Sequence, residues 1–237
     1  MKLIININCD KLLLIKIREK LLMKVNNKLK EYIEKNIFPL YKNNYIGDGL
    51  DRIDYVIKRS ESIIKDNNLK VDNDILYTVI SYHDIRTNND EKDHEIISGE
   101  IVLKDEFLKE FFSLEQRKII KEAIEDQRAN SDREPRNIYG KILSSASRNS
   151  SVEQCLRRSY FYGKKKNPNL SDNELFEGAY EALSKKFGEN GYAKFYFKDF
   201  TYEQFLIDIR KLLSDKDNFI KTQKEYIDKI KANEDFN

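Results

Sequence analysis

Histidine and cysteine occur only twice each among these 237 residues, tryptophan is absent, and there are just 8 glycines and 3 prolines. Each shortage excludes something. Cys9 and Cys155 have no further cysteines with which to build a disulfide framework or a CxxC metal site, so they read as reduced thiols of a cytoplasmic chain. Glycine is too scarce for a phosphate-cradling loop, and Gly47-Asp48-Gly49 is too short to be one. No apolar run approaches the roughly 20 residues that span a bilayer, which argues against a membrane partner. The opening Met1–Cys9 is interrupted by asparagine and followed by charge, so it does not read as a signal peptide. Met23 is an alternative start, which makes residues 1–22 an appendage. An excess of one charge is also missing. Lys+Arg number 43 against Asp+Glu 41, a net charge of +2 that gives no general attraction to nucleic acid.

What the chain does have is helix formers. Hydrophobic residues make up 40% and charged residues 35%, with few breakers between them. About nine helices are expected. Val25–Asn36 is amphipathic and ends ahead of Phe38-Pro39. Leu50, Ile53, Val56, Ile57, Ile63 and Ile64 form a stripe at helical spacing. Asp72 caps a helix running from Asn73 to about His83, and Asp93 or His94 opens the next. Four start signals follow: Ser113-x-x-Gln116, which heads a helix to about Ala129, Ser151-x-x-Gln154, Ser171-x-x-Glu174 and Thr201-x-x-Gln204. Gly188 marks a helix end. Tyr192–Phe197 reads as a short strand or an extended connector, and two helices at about 201–214 and 216–232 close the chain. The expected fold is all-α.

The chemistry concentrates on one doublet. Ile75, Val79 and His83 recur at i, i+4 and i+8, so His83-Asp84 falls at the end of a buried apolar helix, with His94 eleven residues on. Where the backbone leaves a helix, adjacent imidazole and carboxylate groups can face one cation. The plain alternative is a capped helix end with a hydrogen-bonded core histidine.

The order of segments is a loop, a helix, an apolar helix ending Tyr82-His83-Asp84-Ile85, a polar loop, His94-Glu95-x-x-Ser98-Gly99-Glu100-Ile101, a long helix, and Lys141–Asn149. It resembles the HD-domain superfamily of metal-dependent phosphohydrolases over roughly residues 25 to 160. The resemblance implies a single HD-type helical domain over 23–160, with a helical C-terminal extension over 161–237 packed on the same domain. It also implies a divalent ion (Mn, Mg or Fe) held by His83, Asp84 and outer ligands, which activates water against a phosphoester. The outer ligands are missing here. Arg52 stands where the upstream histidine is expected, Ser147 where the later aspartate is expected, and Gln127 where some members carry a further histidine.

Three readings follow. In the first, the site is degenerate, and the Arg52 guanidinium replaces the ion and pairs with Asp84. In the second, the site is rebuilt, with His83, Asp84 and His94 joined by Asp48, Asp51 and Asp126 around a harder ion, making an active phosphohydrolase with His83 and Asp84 as catalytic residues. In the third, the cleft keeps Arg52, Arg128, Arg136 and Lys141 to hold a nucleotide or phosphate without hydrolysing it. The favoured expectation is a non-catalytic nucleotide- or phosphate-binding or regulatory protein. A protein-interaction module, self-association included, is the remaining alternative. Its candidate surface is the aromatic-rich face of residues 201–232. Arg157-Arg158 and Lys164–Lys166, interleaved with Tyr160, Phe161 and Tyr162, could grip single-stranded nucleic acid. A helix with inward aromatics and solvated lysines is the favoured account of that segment.

Overall fold

The computed structural model describes residues 23–43, 49–85, 94–128 and 133–234. Among them are ten α-helices, two 3-10 turns and no strand. The fold is all-α. Residues 1–22, and with them the appendage read from Met23, lie outside the described residues, as does Asp48.

Local capping chemistry sets most helix starts. α1 (Asn27–Asn36) is capped by Asn26, whose side chain accepts from the Lys28 amide. A 3-10 turn over Phe38–Asn43 follows. α2 spans Leu50–Asp66, and α3 spans Asn73–Tyr82 with Asp72 accepting from the amides of Asp74 and Ile75. α4 (His94–Lys104) opens at His94. After a second 3-10 turn, Phe107–Glu110, α5 (Leu114–Glu125) begins with a full capping box between Ser113 and Gln116. α6 is Ile138–Ala146, α7 is Val152–Lys166 behind Ser151, and α8 is Asp172–Phe187 behind a second full box, Ser171 with Glu174. α9 (Phe200–Leu213) and α10 (Lys216–Glu234) complete the chain.

One expectation needs correction, and one open alternative is decided. The cap of α9 is Asp199, which accepts from the Tyr202 amide, and Thr201 lies inside the helix. A carboxylate at the positive end of the helix outcompetes a hydroxyl two residues on. Tyr192–Phe197 is an extended connector and no strand, since the amide of Tyr196 is taken by the Ser145 hydroxyl and not by a neighbouring strand.

The chain forms two compact units. One holds residues up to Ser147 together with Phe195–Lys198, and the other holds Arg148–Lys194 and 199 onward. The division falls earlier than the boundary at 160 read from sequence.

In the first unit α3 is the central helix, packed against α1, α2, α4, α5 and α6. All of its residues from Ile75 to Tyr82 are buried. Ile75, Leu76, Val79 and Ile80 cover one side of α3, and Tyr77, Thr78, Ser81 and Tyr82 cover the other, all of them buried. Its C-terminal end therefore delivers His83-Asp84 into the interior. Small residues bring the neighbouring helices close. A Cβ added to Gly140 on α6 would sit 3.1 Å from Pro135 Cβ and 3.3 Å from Ala123 Cα on α5. One added to Gly99 on α4 would meet Lys121 Cγ at 3.0 Å.

The second unit packs α7, α8, α9 and α10 around Tyr160, Phe176, Phe187 and Phe205. The rings of Tyr160 and Phe176 stack at 5.3 Å, and those of Phe187 and Phe205 meet edge-on at 5.1 Å. Gln223, fully buried on α10, donates to Leu156 O at 2.8 Å and to Ser159 Oγ at 3.0 Å, which ties α10 to α7. Cys155 is a buried free thiol, pushed up to about 12 by that burial.

Candidate functional site

His83 is the C-cap of α3 and is 0% exposed. Its Nδ1 lies 2.6 Å from Ile80 O. A carbonyl only accepts, so Nδ1 carries the proton, and the other ring nitrogen is the one aimed at the site. Nε2 lies 3.1 Å from Asp84 Oδ2, so the ring faces the carboxylate of its own neighbour.

Asp84 gathers the rest. His94 Nε2 is 3.6 Å from its Oδ1, and Gln127 Nε2 is 3.4 Å from the same oxygen. The Gln127 amide also donates to the His83 carbonyl at 2.9 Å. The Asp84 main-chain amide donates to the Tyr41 hydroxyl at 3.2 Å, and that hydroxyl donates on to Ser81 O at 3.0 Å. Burial alone would raise the Asp84 carboxyl. His83, His94 and the charge of Arg52 outweigh it and hold the group well below the usual carboxylate range. Contact with Asp84 raises His94 above its ordinary value, against its own partial burial. Burial, reinforced by the Asp84 charge, pushes the Tyr41 hydroxyl well up.

Arg52, in the first turns of α2, donates from Nη2 to Ser147 O at the end of α6, and its guanidinium lies 5.4 Å from the Tyr55 ring centroid. The three positions read as lost ligands therefore share one neighbourhood. Gln127 touches the doublet, Arg52 acts on Asp84 by its charge, and Ser147 holds Arg52.

The remaining candidates go elsewhere. Asp126, expected as a metal ligand, is buried beneath two arginines. Arg133 Nη2 is 2.8 Å from its Oδ1, and Arg136 reaches its Oδ2 through the main-chain amide at 2.8 Å and Nε at 2.9 Å. Both oxygens are in use. Asp51 is exposed in the first turn of α2. Arg128, expected to face phosphate, grips the buried Glu95 with Nε at 2.5 Å from Oε1 and Nη2 at 2.7 Å from Oε2. Arg136 also holds Glu125 at 2.6 Å. Lys141 pairs with Glu134 at 3.2 Å and lies 5.8 Å from the Tyr196 ring centroid. The expected basic cleft is a set of ion pairs, because Glu95, Asp126 and Glu134 lie within reach of Arg128, Arg136 and Lys141.

A divalent ion needs several anionic or imidazole donors converging on one point. His83 Nε2 alone has the form of a ligand, a buried nitrogen whose opposite ring N–H is fixed on a carbonyl. Asp84 is already engaged by His83, His94 and Gln127, the charge acting on it from Arg52 is a cation and not a ligand, and Asp126 is neutralised by two arginines. Among the described residues no group of three or more His, Cys, Asp or Glu side chains is arranged to hold a metal ion. The residues do not fit the ion.

Tyr41 is the participant that the sequence did not reveal. It sits in the 3-10 turn after Pro39, and nothing local marks a tyrosine 43 residues away as a partner of the Asp84 amide. No helix of the described residues is long and apolar enough to cross a membrane. No protein-family model, no curated protein and no solved structure matches this chain.

Proposed function

We propose that this chain is an HD-type helical protein in which a side-chain cation has replaced the metal ion, and that it acts in the cytoplasm by binding, in a regulatory role, and not by hydrolysis. The observation that carries this reading is the gathering of Arg52, Gln127 and Ser147 around His83-Asp84. A guanidinium is permanently charged and offers a planar fork of donors. It can neutralise Asp84 and bond the exposed carbonyl of a helix end together, which an ion with its own coordination demands would not do. A nucleotide or phosphate would have to displace Glu95, Asp126 and Glu134 from Arg128, Arg136 and Lys141. The regulatory form of the reading is therefore stronger than phosphate capture.

The test is metal content. The purified protein is exposed to Mn²⁺, Fe²⁺, Zn²⁺ and Mg²⁺, freed of excess, and subjected to elemental analysis, and its melting temperature is followed in Mg²⁺ to cover a weakly held ion. The expected result is no stoichiometric ion and no Mg²⁺ shift. About one ion per chain, lost in His83→Ala, would overturn the reading.

A second reading, a divalent-metal phosphohydrolase acting on a nucleotide or small phosphoester, is favoured by the His83 ring, whose Nδ1 is fixed on Ile80 O while Nε2 and the Asp84 carboxylate face one another. The same measurement separates the two.

A further inference from the structure

Seven large apolar side chains of the described residues are exposed, and the three most exposed are Phe200 at 81%, Tyr162 at 65% and Ile207 at 61%. All three belong to the second unit. They form two patches of opposite charge.

The first patch is a groove. Phe200 and Ile207 stand two turns apart on one face of α9, with Gln204 between them. Beside them lies a cavity of about 370 Å³, lined by Ser151, Glu153, Phe200, Gln204, Phe205 and Asp208 among others. Glu153, Glu203 and Asp208 are exposed around it, and Arg210 and Lys211 are exposed at the far end of the stripe. This surface sets two exposed apolar side chains, Phe200 and Ile207, beside a cavity lined largely by polar residues, whose exposed charges are Glu153 and Asp208.

The second patch is a projection. Tyr162 stands out from the C-terminal half of α7, with Lys166 Nζ 5.8 Å from its ring centroid. Arg158, Lys165 and Lys166 are exposed around it. This surface is one aromatic ring within a basic field. Glu153 opens α7 and the lysines close it, so the two patches sit toward opposite ends of a helix roughly 20 Å long. One molecule cannot bring them together, but two can.

We propose that this face binds a second copy of the chain, with Tyr162 of one copy seated in the Phe200–Ile207 groove of the other and Arg158, Lys165 and Lys166 set against Glu153, Glu203 and Asp208. Tyrosine suits the role, since it buries a large apolar body and keeps a polar tip. Charge complementarity supplies orientation, and the apolar contact supplies most of the affinity. The groove and the projection differ, so the contact either closes reciprocally into a dimer or continues into longer assemblies. The proposal does not depend on the His83-Asp84 site.

Sedimentation velocity over a concentration series tests it. Self-association in the micromolar class is expected for a contact this small, and it should weaken at high salt. Phe200→Ser/Ile207→Ser and Tyr162→Ser/Lys166→Glu lie on the surface and should melt like the parent chain. Each should weaken self-association by about tenfold or more. Mixed together, the two variants should associate with each other, because one retains the projection and the other retains the groove. A parent chain that stays monomeric throughout, association unchanged in either variant, or a mixture that fails to associate would each overturn the proposal.

Discussion

The side-chain amide of Gln127 donates to the main-chain carbonyl of His83 across 2.9 Å, so a residue just past the end of α5 closes the end of α3. That carbonyl is one of the last of a buried helix and would otherwise have no partner. Gln127→Leu keeps the approximate volume and removes the donor. The cost of leaving a buried carbonyl unpaired is about 1–3 kcal/mol. A thermal melt followed by circular dichroism should fall by several degrees. A melt identical to the parent chain would show that water serves the carbonyl equally well.

Arg52 is the second case. Arg52→Ala removes the positive charge acting on Asp84 and the donor to Ser147 O together. Asp84 is only partly exposed, with 17% side-chain accessibility. The loss is expected at about 2–4 kcal/mol, in the range for breaking a largely buried charged contact. Arg52→Lys keeps the charge and loses the fork, so it should recover only part of the difference. Chemical denaturation of the three proteins ranks them. Equal stability of Arg52→Ala and the parent would remove Arg52 from its structural role.

Stability should also depend on pH through His94. Its folded-state value is raised above the unfolded one by Asp84. A raised cation contributes fully below the unfolded value of about 6.5, and the contribution is lost as pH climbs through the folded value. Asp84 behaves in the opposite sense. Its depressed carboxyl contributes above the unfolded value of about 3.9 and loses the contribution as pH falls below it. Unfolding free energy measured in urea should therefore decline from slightly acidic toward alkaline pH, and the slope should flatten in His94→Gln. An unchanged slope in that variant would assign the dependence to another group.

Gly140 tests the packing. Alanine would improve helix propensity by about 1 kcal/mol. Its Cβ would however press on Pro135 Cβ at 3.1 Å and on the α5 backbone at Ala123 Cα at 3.3 Å. The backbone cannot give as a flexible side chain can. Gly140→Ala is expected to be net destabilising by about 1–2 kcal/mol, as read from its melting temperature. Net stabilisation would mean that α5 and α6 can separate at little cost.

These helices were legible in the sequence because their signals are local. Asp72, Ser113, Ser151 and Ser171 each cap a helix within three residues of themselves. Asp199 was missed because Thr201-x-x-Gln204 offers a similar signature two residues later. The carboxylate at Asp199 wins that competition at the positive end of the helix. The doublet was legible through the spacing of Ile75, Val79 and His83. Its company was only partly so. Arg52, Gln127 and Ser147 come from three separate segments, and only the resemblance in segment order to a known superfamily points to them together. The partners of Arg128, Arg136 and Lys141 were not legible. With 35% of residues charged, every arginine has several acids nearby in sequence, and only folding selects Glu95, Asp126 and Glu134.

The bond from Arg52 to the carbonyl of Ser147 has a consequence for how the protein matures. A bound cation must be found, selected against its chemical rivals and retained against chelators. A guanidinium arrives with the polypeptide, in a fixed ratio of one per chain, and cannot be stripped away or exchanged. The charge beside Asp84 is thus set at the ribosome. Cells starved of manganese or flooded with zinc should accumulate the folded chain equally well.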